Sequence, residues 1–255
     1  MHPVLSEVKG MLIDVDGVLY NDGIPVPGAP ETIDFLRERG IPFRLITNTT
    51  MRSRNTLWKR LSSIGFRLEE REIFTAVRAA VEYLRSVEAK RYFPLITDDA
   101  KKEFSDFRED QDSPDFVVVG DMGEAWTFQL LNQGFRALMA GADLLALQKN
   151  RFWMSQKGLQ LDAGPFVAAL EYASDKKAIL VGKPNRAFFE MALQDMGLKP
   201  QDVVMIGDDI ESDIVGAQRL GMKTILVKTG KFMPRDLKKG VKPDIVLDSI
   251  ADLMK

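Results

Sequence analysis

The chain has 255 residues, 45% of them apolar and 28% charged, and 35 basic side chains against 37 acidic ones leave a formal net charge of -2. With no basic excess, there is no footprint for counterion-driven binding to nucleic acid or to an anionic membrane surface. Zero cysteines and a single histidine, His2, exclude disulfides, thiolate metal sites and mechanisms built on cysteine or histidine, leaving carboxylates, lysine, tyrosine and water for acid–base work.

MLIDV (11–15) reads as a buried strand and PETIDFLRERG (30–40) as a helix stopped by Gly40. FRLITN (43–48) is the next strand, followed by a helix over 51–65 that places Leu57, Leu61 and Ile64 on one side and ends at Gly65. From 78 to 178 the character changes. This stretch carries strands at YFPLIT (92–97), DFVVVG (115–120) and DLLALQ (143–148), a helix over 124–141, and the most charged and irregular segment, 98–115. The first pattern then returns with KAILVG (177–182), a helix over 185–197, DVVMIGDD (202–209), a helix over 211–221, KTILVK (223–228), DIVLDS (244–249) and a last helical turn. Alternating strands and helices predict a Rossmann-like α/β core with a parallel sheet and helices on both faces. The expected division is a discontinuous core, 1–77 plus 179–255, with a smaller inserted α/β domain over 78–178. FVVVG (116–120), among the longest apolar runs, is far too short for a bilayer, and MHPVLSEVKG has no apolar signal core, so a cytoplasmic location is expected.

Four polar groupings fall at the C-terminal ends of predicted strands. Asp14 and Asp16, followed by Gly17, close the first. Two carboxylates so close raise each other's pKa unless a cation offsets them, and oxygen-only donors point to Mg²⁺. Thr47 and Asn48 end the second strand and offer uncharged donors to a phosphate oxygen, although Thr-Asn is also ordinary turn chemistry. Lys183 follows AILVG and precedes Pro184; such a lysine neutralises phosphate charge or sits solvated. Asp208, Asp209 and Asp213 occupy a strand-to-helix corner suited to a hard cation, where Asp213 also suits the helix dipole. A parallel sheet gathers such strand ends into one crevice.

In this order DVDGVL (14–19), TN (47–48), GKP (182–184) and GDDIESD (207–213) resemble the four motifs of the haloacid-dehalogenase-like phosphohydrolase superfamily. An insertion between the Thr and Lys motifs looks like the α/β cap of subclass IIA, and VPGAPETIDFLRERG (26–40) and LITNTTMRSR (45–54) resemble that subclass too. Within it, FTAVRAAVEYL (74–84), the stretch 130–153 and GPFVAALEYAS (164–174) are most similar to one group. That group contains phospholysine phosphohistidine inorganic pyrophosphate phosphatase and haloacid dehalogenase-like hydrolase domain-containing protein 2.

The resemblance implies a Mg²⁺-dependent phosphatase acting on a small phosphorylated substrate through an aspartyl-phosphate. Asp14 would be the nucleophile and Asp16 the acid–base group. Asp14, the backbone carbonyl of Asp16, and Asp208 would bind the metal. Asp209 or Asp213 would orient metal-bound water or Lys183, while Thr47, Asn48 and Lys183 would hold the phosphoryl group. The cap would close over the site and choose the substrate, with Asn150, Arg151 and Phe152, and the region 121–124, as candidate specificity positions. GDM (120–122) reads as a turn, and Phe152 and Trp153 as packing residues. The subclass also allows a homodimer through the cap. A phosphotransferase sharing the intermediate, or a weakly catalytic metabolite-binding or scaffold protein retaining the fold, are the alternatives. The retained Asp14 and Asp208 speak against the latter.

Overall fold

The computed structural model describes residues 2–155, 158–238 and 240–255. They form two compact units: Met1–Thr47 with Leu57–Phe74 and Lys183–Lys255, and Asn48–Thr56 with Thr75–Gly182. Relative to the division expected at 77/78 and 178/179, a short segment after Thr47 and the residues up to Gly182 group with the inserted unit.

The first unit is built on a six-stranded sheet in the order Ile245–Leu247, Lys223–Val227, Val203–Gly207, Gly10–Asp14, Phe43–Thr47 and Ile73–Thr75. Neighbours from the first through the fifth run parallel. Gly10–Asp14 and Val203–Gly207 are buried at every position, as strands covered on both faces must be. Met11 and Ile13 join Leu45, Val204, Ile206 and Ile225 in one core, to which the helix Ala29–Glu38 adds Ile33 and Leu36. Leu57 and Leu61 from the helix Arg54–Ser63 complete that layer. Chain order runs outward in opposite directions from Gly10–Asp14, so the crevice at the C-terminal ends of the central strands is where such a sheet binds ligands.

The second unit carries its own parallel sheet, ordered Ile179–Leu180, Asp143–Ala146, Phe116–Val119, Arg91–Leu95 and Arg108–Glu109. Phe93, Leu95, Val117, Val119, Leu144 and Leu170 form its core. An antiparallel pair, Phe152–Ser155 with Gly158–Leu161, stands apart from that sheet.

Three expectations need correction. KAILVG was expected to rejoin the core sheet, yet Ile179 and Leu180 pair with Leu145 and Ala146 of the inserted unit. The helix expected over 211–221 is a π-helical turn, Ile210–Val215, followed by one short α-helical segment, Gly216–Gln218. Phe152 and Trp153 were expected to pack, but they are 52% and 37% exposed. Among the described residues, no helix is long and apolar enough to cross a membrane.

Candidate active site

Asp14 is the last residue of its strand and is buried. Its Oδ1 lies 2.6 Å from the Lys183 ammonium, whose Nζ is also 2.7 Å from Asp213 Oδ1. Lys183 is held from the chain that follows it: Asn185 caps the helix Arg186–Met196, and that helix is anchored by buried Phe188 and Phe189. Asp208 follows the central strand Val203–Gly207 directly. Its Oδ2 accepts a 2.6 Å hydrogen bond from the backbone N–H of Lys231, while its buried Oδ1 has no hydrogen-bond partner.

The π-helical turn is held both by its own carboxylates and by Lys183. Asp209 caps it, accepting from the N–H groups of Glu211 and Ser212. Asp213 reaches back to accept from the Asp209 N–H at 3.2 Å while facing Lys183. A regular helix would not present Asp213 to both, and such widened turns recur at functional sites.

Asp16 differs from these groups. It is exposed, and each of its oxygens accepts one hydroxyl: Oδ1 from Tyr20 at 2.7 Å and Oδ2 from buried Thr47 at 3.2 Å. Asp14, Asp16, Thr47, Lys183, Asp208, Asp209 and Asp213 thus form one constellation in the first unit. Asn48 belongs to the second unit, where a Cβ on Gly182 would lie 2.7 Å from its Oδ1. Asn150, Arg151 and Phe152 lie in the second unit as well. The backbone carbonyls of Asn150 and Arg151 accept from Gly164 and Asp162 at the start of the helix Ala163–Ser174. Asp121 accepts from the Gly123 N–H, the local bond of a turn, and its own N–H donates to Thr50 Oγ1.

Reading the sequence for acidic and basic motifs missed Tyr20, Gly230 and Lys231. Gly230 and Lys231 follow the strand Lys223–Val227, the same strand-end placement that marked the other motifs. A Cβ on Gly17 or on Gly230 would stand 2.0 Å from Asp208 Oδ2, and both have positive φ, 89° and 62°. Only glycine suits either position.

The Asp14 carboxyl is raised to about 7: burial pushes it up most, Lys183 pulls it down, and Asp208 and Asp16 add to the rise. Asp208 and Asp213 are raised as well, by burial first and then by neighbouring carboxylates. Burial opposes the charge on Lys183, but Asp14 and Asp213 outweigh it and hold its pKa above the ordinary lysine value. Asp209 sits below its ordinary range: burial would raise it, but Lys231 and the N–H groups of Ser212 and Glu211 prevail.

Three buried carboxylates, Asp14, Asp208 and Asp213, face one buried ammonium, Lys183, so the ionised cluster carries three negative charges against one positive, a net of two negative. Each of the three acids offers an oxygen within 4.8 Å of the others. An all-oxygen donor set, a net double negative charge and the orphaned Asp208 Oδ1 fit a hard divalent cation.

Residues 11–108 match the family model described as haloacid dehalogenase-like hydrolase, and residues 180–253 match that described as HAD-hydrolase-like. Haloacid dehalogenase-like hydrolase domain-containing protein 2 of Mus musculus is 44% identical over 91% of this chain and 88% of its own length. Human phospholysine phosphohistidine inorganic pyrophosphate phosphatase is 38% identical over 97% of this chain and 93% of its own. Among solved structures, 4-nitrophenylphosphatase of Thermotoga maritima superposes with a TM-score of 0.93 at 28% identity, covering 99% and 98% of the two chains. With its strand-end carboxylates, its buried lysine and these relatives over nearly its whole length, the chain belongs to the haloacid dehalogenase-like hydrolase family and is a phosphatase of that family.

Proposed function

We propose that the protein hydrolyses a small phosphate monoester, phosphoamide or pyrophosphate in two steps through a phosphoryl group carried on Asp14. The observation that carries this reading is the buried Asp14–Lys183–Asp213 chain beside Asp208, a nucleophile held by an ammonium within a pre-organised acidic pocket. Lys183 engages Asp14 Oδ1 and so fixes the carboxylate's orientation. In the first step a bond forms between the Asp14 carboxylate and phosphorus, the bond to the leaving oxygen breaks, and Asp16 supplies a proton to that oxygen. In the second, Asp16 takes a proton from water as the water's oxygen displaces Asp14, releasing inorganic phosphate. Thr47 and Lys183 hold the phosphoryl oxygens, and Asp213 holds Lys183 in place.

Asp14 and Asp208, with the Asp16 carbonyl, are the groups that would hold Mg²⁺, which when bound neutralises charge on the phosphoryl oxygens. Asp209 is committed to capping the π-helical turn, which favours Asp213 as the neighbour of this site.

Hydrolysis of p-nitrophenyl phosphate with and without Mg²⁺, in wild type and Asp14→Asn, tests the reading. Turnover that requires Mg²⁺ and falls by about a thousandfold or more in Asp14→Asn is expected. Equal turnover in the two proteins would remove Asp14 as the nucleophile.

A further inference from the structure

Tyr20 lies four residues beyond Asp16 and is 94% buried, with 6% of its surface exposed, yet its hydroxyl is aimed at the one exposed carboxylate of the site. The intervening loop is folded tightly: the Gly17 N–H donates to the Tyr20 carbonyl at 2.9 Å, and the Leu19 N–H to the Val15 carbonyl at 2.9 Å. Tyr20 also opens a short antiparallel pair, Tyr20–Asn21 with Ile24–Pro25, which fixes its backbone. The Arg60 guanidinium sits 5.4 Å from the centre of its ring. A cation over the ring face is attracted to it, which helps to hold the Tyr20 side chain in place.

We infer that Tyr20 is a positioning residue for proton transfer by Asp16, an assignment that rests on the two-step reading above. Its hydroxyl occupies Asp16 Oδ1 at 2.7 Å and locks the carboxyl's rotation. Oδ2 accepts from the Thr47 hydroxyl at 3.2 Å, and because the mechanism places Thr47 on the phosphoryl group, the carboxyl so held faces the reacting atoms. Tyr20 is neither consumed nor charged in the step. The proton passes from the Asp16 carboxyl to the leaving oxygen as the P–O bond breaks, and Asp16 recovers one from water.

A positioning role predicts a dependence on the leaving group that a packing role does not. A p-nitrophenolate leaves without a proton, whereas the more basic phenolate of phenyl phosphate needs one. Tyr20→Phe keeps the ring, its burial and its place beside Arg60, and removes only the hydroxyl. Wild type and Tyr20→Phe would be compared on both esters with Mg²⁺, with thermal melting to confirm the fold. The expected result is kcat/KM, which reports the steps through departure of the leaving group and not the shared second step, changed less than threefold for p-nitrophenyl phosphate and lower by about tenfold or more for phenyl phosphate. Unchanged kcat/KM on both esters, or equal falls in kcat/KM on both, would overturn the assignment. A wild type that turns over neither ester would overturn the two-step reading itself, and this assignment with it.

Discussion

The Asp208 carboxylate lies between two glycines from distant parts of the chain, Gly17 and Gly230, and at either a methyl group would occupy the place of its Oδ2. Space for a buried charge is thus specified by residues that carry no chemistry. Gly230→Ala has a built-in control in Gly221→Ala. Both glycines have positive φ, 62° and 77°, so both variants bear about 1 kcal/mol of backbone strain. Only at Gly230 does the new carbon meet Asp208, since nothing lies within 4 Å at Gly221. We expect Gly221→Ala to retain activity within about twofold, and Gly230→Ala to lose about a hundredfold, as when one pre-organised group is displaced. Similar losses of kcat in the two variants would show that strain, not displacement of Asp208, matters there.

Among elements, what could be read from the chain is local, and what could not is a matter of partners. The strand ends at Asp14, Thr47, Lys183 and Asp208 were legible because an apolar run followed by polar residues and glycine or proline is a local signal. Which sheet the strand Ile179–Leu180 joins was not legible, because both units use parallel sheets of apolar strands, and its pairing with Leu145 and Ala146 is a contact between residues distant in the chain. The π-helical turn at Ile210–Val215 was also missed, since it depends on a lysine about thirty residues earlier in the chain. The helix expected from residue 51 begins at Arg54 because Ser53 acts as its cap, accepting from the Thr56 N–H. That start is held from a distance by Asp99, which accepts from the Ser53 N–H at 2.9 Å and from the Thr56 hydroxyl at 3.0 Å, and pairs with Lys102 at 2.7 Å. Burial opposes this carboxylate, but Lys102, Ser53 and Thr56 together bring it down to about 2. A lowered folded pKa adds stability above the unfolded value, and that stability is lost as pH falls toward 2. Asp99→Ala should therefore cost about 1–3 kcal/mol by urea unfolding near neutral pH, with the difference from wild type shrinking as pH falls below about 4. A difference independent of pH would mean the loss comes from packing alone.

On the scale of the whole molecule, the active site opposes the stability of the fold that carries it. Asp14, Asp208 and Asp213 are raised by burial, so between their unfolded values and about 7 the native protein holds more protons than the unfolded chain. The sign is then opposite to that for Asp99: the contribution of this cluster is most favourable at low pH and is lost as pH rises through about 7. Bound Mg²⁺ would reverse the penalty where the carboxylates are ionised, because a ligand that binds only the native state stabilises it. In chelator, the cluster should lower the melting temperature as pH rises from about 5.5 to about 8; saturating Mg²⁺ should raise it by about 5 °C at the upper pH and by less than half that at the lower. Asp208→Asn separates the two effects, since it removes one negative charge and keeps an oxygen for the Lys231 N–H. It should melt above wild type in chelator at about pH 8, by an amount worth about 1–3 kcal/mol, yet gain nothing from Mg²⁺ and have no phosphatase activity. An Asp208→Asn protein that melts below wild type in chelator would show that the carboxylate is stabilised by groups other than a cation. One that still gains stability from Mg²⁺ would place the ion elsewhere.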